Sequence, residues 1–177
     1  MAENIHAAAP VREPTGLHYG SIIGQGVIGG LLAGVVLTIY ESLAAYILVQ
    51  NIFGFLRLAG ATVVGEQALT DVWAFTSEGL IGLVVIGAFS IVAGILFALI
   101  VGAVAPFHSS AGSIIISGLA FGFLMWLVIY YAVAPVFNWF WLIPNSSTFW
   151  QGFLGFTVFF GLPLGLYLAR KGLYTVP

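Results

Sequence analysis

The chain has 177 residues, 61% of them hydrophobic and only 6% charged, where a soluble domain carries about 25% charged residues. Polar side chains are too few to cover a water-facing surface, so lipid is the expected solvent for most of the molecule. A net charge of −2 without any basic cluster argues against a nucleic-acid partner, and the absence of cysteine removes disulfides, thiolate metal sites and a cysteine nucleophile.

Residues 1–20 form a polar tail of mostly small residues in which Pro10 and Pro14 oppose a helix. A cleavable signal peptide is not expected, because the first apolar run is too long for one and comes after twenty mixed polar residues. Four stretches then reach the roughly 20 apolar residues that a membrane-spanning helix needs. They run over about 22–49, 79–104, 113–136 and 149–168. Strict alternation of apolar and polar residues, the mark of a membrane β-barrel, is missing. The expected fold is an all-α membrane protein of four transmembrane helices in an up-down-up-down bundle spanning 21–171, with a short tail at 172–177.

The first stretch would reach about 42 Å as a helix, against a hydrocarbon core of about 30 Å. It should tilt or emerge from the bilayer. Gln50 to Gly60, with a lone Arg57, reads as a helix end or an interfacial segment. Ala61 to Glu78 reads as a loop holding Glu66, Asp71 and Glu78. Four spans put both termini on one side, with Arg12, Arg170 and Lys171 against Arg57 on the other. That asymmetry predicts cytoplasmic termini. Trp73, Trp139, Trp141 and Trp150 fall near the opposite boundary, as an aromatic belt would; a stacking site for a ligand is the alternative.

Small residues recur at a spacing of four: Gly26, Gly30 and Gly34 in the first span, Gly118 and Gly122 in the third, Gly161 and Gly165 in the fourth. In lipid, small residues let helix backbones approach closely. These glycines are therefore candidates for packing within the bundle or for docking another subunit. Pro163, between the last two, should kink its helix and free a carbonyl. Gly30 to Gly34 resembles Gly118 to Gly122, and Gly94 to Ala98 resembles Gly161 to Gly165. A duplicated helix pair would produce that pattern, with a pseudo-axis along the membrane normal.

Glu41 is the candidate functional acid, since an ionisable group within a span is a functional hypothesis by default. It is flanked by Tyr40 and Ser42, with Thr38 on nearly the same face. It suits an interfacial or hydrogen-bonded structural acid, a contact with a partner subunit, or a group that handles protons or ions. Arg57 could reach it only if the chain folds back. His18 and His108 are weak candidate ligands for a haem or metal, for neither lies within a span and no metal-ligand spacing accompanies them. Gly24-Gln25-Gly26 with Gly29 spells a dinucleotide-like glycine pattern, but it opens an apolar helix instead of coming after a strand. No nucleophile elbow or phosphate loop is present, so no catalytic residues are assigned and an enzyme is not expected.

In its four helices, its Gly-xxx-Gly pattern in the first and third, and its short basic C-terminus, the chain resembles small uncharacterised four-helix bacterial membrane proteins with glycine-patterned helix pairs. The resemblance covers Ile22 to Lys171. It implies a membrane fold and location, and no activity. The expected role is a non-catalytic accessory or scaffold subunit of a larger bacterial inner-membrane complex, respiratory or photosynthetic electron transport being one possible host. The expected partners are the lipid bilayer and other membrane subunits or further copies of the chain. Two rival roles are a small channel or transporter using Glu41, and a pigment-, quinone- or haem-binding membrane protein.

Overall fold

The structure, a computed structural model, describes residues 19–65, 77–136 and 146–172. All regular structure among them is helical. Lipid leaves an exposed peptide group without a hydrogen-bond partner, so a spanning chain without strand alternation satisfies its backbone as helices. Four helices are long and apolar enough to cross a membrane: Gly20–Leu48, Gly79–Ala103, Ala111–Val136 and Phe149–Arg170. We call them the first to fourth spans. The polar tail before Tyr19, residues 66–76 of the acidic segment and the third connection lie outside the described residues.

The helix of the first span runs Tyr19–Val49. It stops at Gln50, whose φ of 56° turns the chain left-handed, and the Gln50 amide caps the Tyr46 carbonyl at 3.0 Å. The Asn51 side chain then accepts a hydrogen bond from the Phe53 amide at 3.1 Å, which tightens the reversal. Beyond the reversal the chain is not the end of the first helix. It forms a separate short helix, Gly54–Val64, which lies along the second span. Gly82 of the second span sits directly beneath the Leu56 carbonyl, where a side chain would not fit. The expected loop therefore loses its first residues to this helix, and the second-span helix begins at Ser77.

Between the second and third spans, Pro106 opens a single 3-10 turn, Ala105–His108. Ser110 caps the third span by accepting from the Ser113 amide at 3.1 Å. That cap starts the helix two residues earlier than apolarity alone suggests.

The first span packs against the second, the third against the fourth, and the first against the fourth. Two of these crossings are backbone on backbone. A Cβ added to Gly94 would lie 2.6 Å from the Gly30 Cα, and one added to Gly118 would lie 2.5 Å from the Gly161 carbonyl oxygen. Only hydrogen fits at such points. The two tight pairs thus cross through the same glycine segments that resemble each other in sequence. The second and third spans meet through larger side chains, with Phe97 and Phe121 rings 5.1 Å apart. Phe89 bridges from the second span to Phe156 and Phe160 of the fourth.

The third and fourth spans each widen into a π-helical segment, Ile129–Val133 and Gly155–Gly161. Each segment ends two residues before a proline, Pro135 and Pro163. A proline ring in an α-helix collides with the carbonyl four residues back. Widening the preceding turn moves that carbonyl aside. The strain expected at Pro163 is taken up in this way.

Candidate functional site

The first span presents two inward rows at four-residue spacing. Gly26, Gly30 and Gly34 face the second span. Gly29, Ala33, Leu37, Glu41 and Ala45 form the other row, all buried; Gly29 meets Leu164 and Tyr167 of the fourth span, and Leu37 and Glu41 meet Gly155. Glu41 is therefore one member of a packing row, and it is only 3% exposed. It sits seven residues, about 10 Å along the helix, inside Leu48. It is enclosed by side chains of the bundle and hydrogen-bonded there, as the structural-acid reading allows.

Its partner is on the fourth span. Gln151 donates from Nε2 to Glu41 Oε2 at 2.5 Å. The Tyr40 hydroxyl donates to the Gln151 carbonyl at 3.3 Å, and the Tyr40 ring stacks on Phe159 with centroids 4.0 Å apart. The other carboxylate oxygen, Oε1, occupies the space a side chain at Gly155 would take. One turn away, the Tyr130 hydroxyl fills the same kind of space at Gly152. Three spans thus converge around one carboxyl group, and both partner helices carry a π segment beside it: Tyr130 lies in one and Gly155 opens the other.

A second clamp ties the same two helices near the terminal end of the bundle. The Tyr167 hydroxyl donates to Gln25 Oε1 at 2.8 Å. Sixteen residues separate Gln25 from Glu41 and sixteen separate Gln151 from Tyr167, so the antiparallel register is the same at both clamps. Lys171 sits 5.6 Å from the Tyr167 ring centroid.

The structure does not bring the glycine ladders and the acid together. Gly26 and Gly30 meet the backbone of Ser90, Gly94 and Ile95, and Gly34 meets the Ser90 side chain. Ser90 is fully buried and its hydroxyl has no hydrogen-bond partner among the described residues. The Gly34 side offers it at most a weak Cα–H contact. Gly118 and Gly122 meet the fourth span, and Gly161 and Gly165 face back toward the third. Thr38 does not assist Glu41; its hydroxyl donates to the Gly34 carbonyl at 2.8 Å. The chain does fold back after the first span, and Arg57 is buried on the short helix, but the hydrogen bond to the acid comes from Gln151. His18 lies outside the described residues, and His108 closes the 3-10 turn between the second and third spans. No group of three or more His, Cys, Asp or Glu residues among the described ones could hold a metal.

Gln151, Tyr130, Gly152 and Gly155 had no distinguishing signal of their own in the sequence. The available hint was register. If the first and fourth spans run antiparallel, an amide five residues into one helix can meet an acid eight residues from the end of the other. The chain matches no protein-family model, and no curated protein or solved structure matches it either.

Chemically, the cluster combines one carboxyl group, one primary amide and two phenols. It can hold, accept or release a proton. It contains no nucleophile with a positioned base and no set of donors aimed at a developing charge, which acyl or phosphoryl transfer would need.

Proposed function

We propose that the chain is a non-catalytic accessory or scaffold subunit of a larger complex in a bacterial inner membrane, with both termini on the cytoplasmic side. One observation carries the reading: hydrogen-bonding side chains along the interface of the first and fourth spans are spent on holding helices together. Glu41 with Gln151, Tyr40 with the Gln151 backbone, and Tyr167 with Gln25 are clamps between these spans. The outward surface is left to residues such as Ile28, Val35, Ile47, Val84, Val92, Ile116 and Val136. Such a surface acts on other molecules by packing against lipid or apolar protein. The glycine crossings would serve the same end by drawing each helix pair close and stiffening the platform. The basic residues near the termini support their cytoplasmic placement.

Extraction from the native membrane in a mild detergent, with mass spectrometry of what co-purifies, tests this. Discrete membrane partners in fixed ratio are expected, and an electron-transport complex is the first host to look for. A monodisperse particle holding only this chain would overturn the proposal.

A further inference from the structure

The clamps explain why the two helices adhere, but not why one of them is an acid. A glutamine at position 41 could bond to Gln151 equally well and would carry no risk of a buried charge. An ionised carboxylate taken out of water costs several kcal/mol unless its surroundings compensate. Here its described hydrogen bond comes from a neutral amide. The acid's charge state is therefore coupled to how its surroundings are packed.

Those surroundings are built to yield. Both helices carry a π segment beside the cluster, Tyr130 lying within one and Gly155 opening the other just after the α-helical turn that holds Gln151, a feature that recurs at functional sites. Glycines at 152 and 155 leave the Tyr130 hydroxyl and the Glu41 carboxyl room that a side chain would otherwise fill. The cluster is off-centre in the bundle. Gln151 is half-buried and adjoins Trp150, which is 58% exposed, so the cluster lies next to the end of the bundle away from the termini. Toward the terminal end, the next side-chain hydrogen bond between the first and fourth spans is Tyr167 to Gln25, sixteen residues or about 24 Å along the helix.

From this arrangement we propose that Glu41, Gln151 and Tyr130 form a proton-binding site that exchanges with water at the end of the bundle opposite the termini. A water-borne acid gives its proton to the Glu41 carboxylate, producing the neutral carboxylic acid. The proton returns to water as the outside becomes more alkaline, and the bundle senses pH on one face without conducting protons through. The titratable groups on the surrounding elements are few. Among residues whose side chains are described, they are Tyr40 and Tyr46 on the same helix, Arg57 on the short helix, Tyr130 and Tyr131 on the third span, and Tyr167 and Arg170 on the fourth. The second span has none between Gly79 and Ala103. This inference does not depend on the accessory role, since partner capture and proton exchange can fail separately.

The test uses the full chain in lipid nanodiscs and a hydrophobic carbodiimide, which reacts with protonated carboxyl groups inside membranes. Peptide mapping by mass spectrometry should place the adduct on Glu41. Labelling, corrected for reagent consumption, should fall about tenfold per pH unit once the pH exceeds the site's midpoint. Glu41→Gln should remove that adduct, and Tyr130→Phe should keep it while displacing the midpoint. The wild-type pH series stands by itself if a variant does not fold. An absence of label at Glu41, or labelling that stays constant between about pH 5 and pH 9, would overturn the proposal.

Discussion

Gly118→Ala tests whether the bundle depends on backbone contact between the third and fourth spans. The new Cβ would sit 2.5 Å from the Gly161 carbonyl oxygen, 2.9 Å from the Gly165 Cα and 3.0 Å from the Gly165 nitrogen. All three neighbours are backbone, so no rotamer change relieves the collision. Carbon atoms pack best at about 3.5–4.0 Å, so the helices must part by roughly 1 Å, and a gap of that size forfeits a quarter to a half of each contact's attraction. Overpacking of this kind costs about 1–3 kcal/mol. Gly87→Ala is the control, because nothing lies within 4 Å of a Cβ there. Within a helix that change should gain about 0.5–1 kcal/mol. Gly118 lies in a helix too and shares that gain, so the two variants are expected to differ by the overpacking cost alone, about 1–3 kcal/mol. Unfolding in mixed micelles with increasing denaturing detergent would measure this, with the fluorescence of Trp126 as reporter, since it is buried among Phe149, Phe153 and Tyr130. If Gly118→Ala proves as stable as Gly87→Ala, the close crossing is not what holds this pair, and the reasoning fails.

Glu41→Gln should change stability by less than about 1 kcal/mol, because an amide can still accept from Gln151, whereas Gln151→Leu should cost about 1–3 kcal/mol by leaving the buried acid without its donor; equal losses in the same unfolding assay would contradict the clamp. Tyr167→Phe removes the second clamp and is expected to cost about 0.6 kcal/mol, with about 1.7 kcal/mol as the ceiling for such bonds in lipid. A larger loss would mean that the ring's seat against Gly29 matters more than its hydroxyl. Pro163→Ala removes the ring that disfavours an α-helical turn. Closing the π segment by one residue rotates Gln151 by about 100° relative to the end of the helix. Gln151→Leu should then have little further effect in the Pro163→Ala background, and an undiminished effect would show that the π segment does not place the amide.

The elements themselves were readable from composition. Long runs of Leu, Ile, Val, Phe and Gly without alternation leave helices as the way to satisfy a backbone in lipid, and the four spans found are those runs, with ends moved by a few residues where caps intervene. The short helix Gly54–Val64 was harder to see. Its existence depends on a left-handed residue at Gln50 and an Asn51 turn, and on Gly82 being available beneath Leu56. The first two are weak local signals, and the third is a long-range contact.

For the candidate site, the residue types stood in the sequence but their company did not. Glu41 was conspicuous as the one acid within the first span. Its depth in a packing row can be counted by fours from Gly29, yet which helix covers that row depends on how four apolar cylinders choose neighbours. Apolar faces of Leu and Ile in lipid carry little directional information, so the choice falls to steric detail: glycines that admit backbone, phenylalanines that hold the second and third spans apart, and prolines that widen two turns. The sequence by itself therefore determined that the chain is a helical, multi-pass membrane protein with a lone acid in its first span. Tertiary structure decided that this acid is enclosed by Gln151, Tyr130 and Gly155. Membrane insertion depends on the summed apolarity of each segment, whereas the acid's environment depends on the register between segments more than a hundred residues apart.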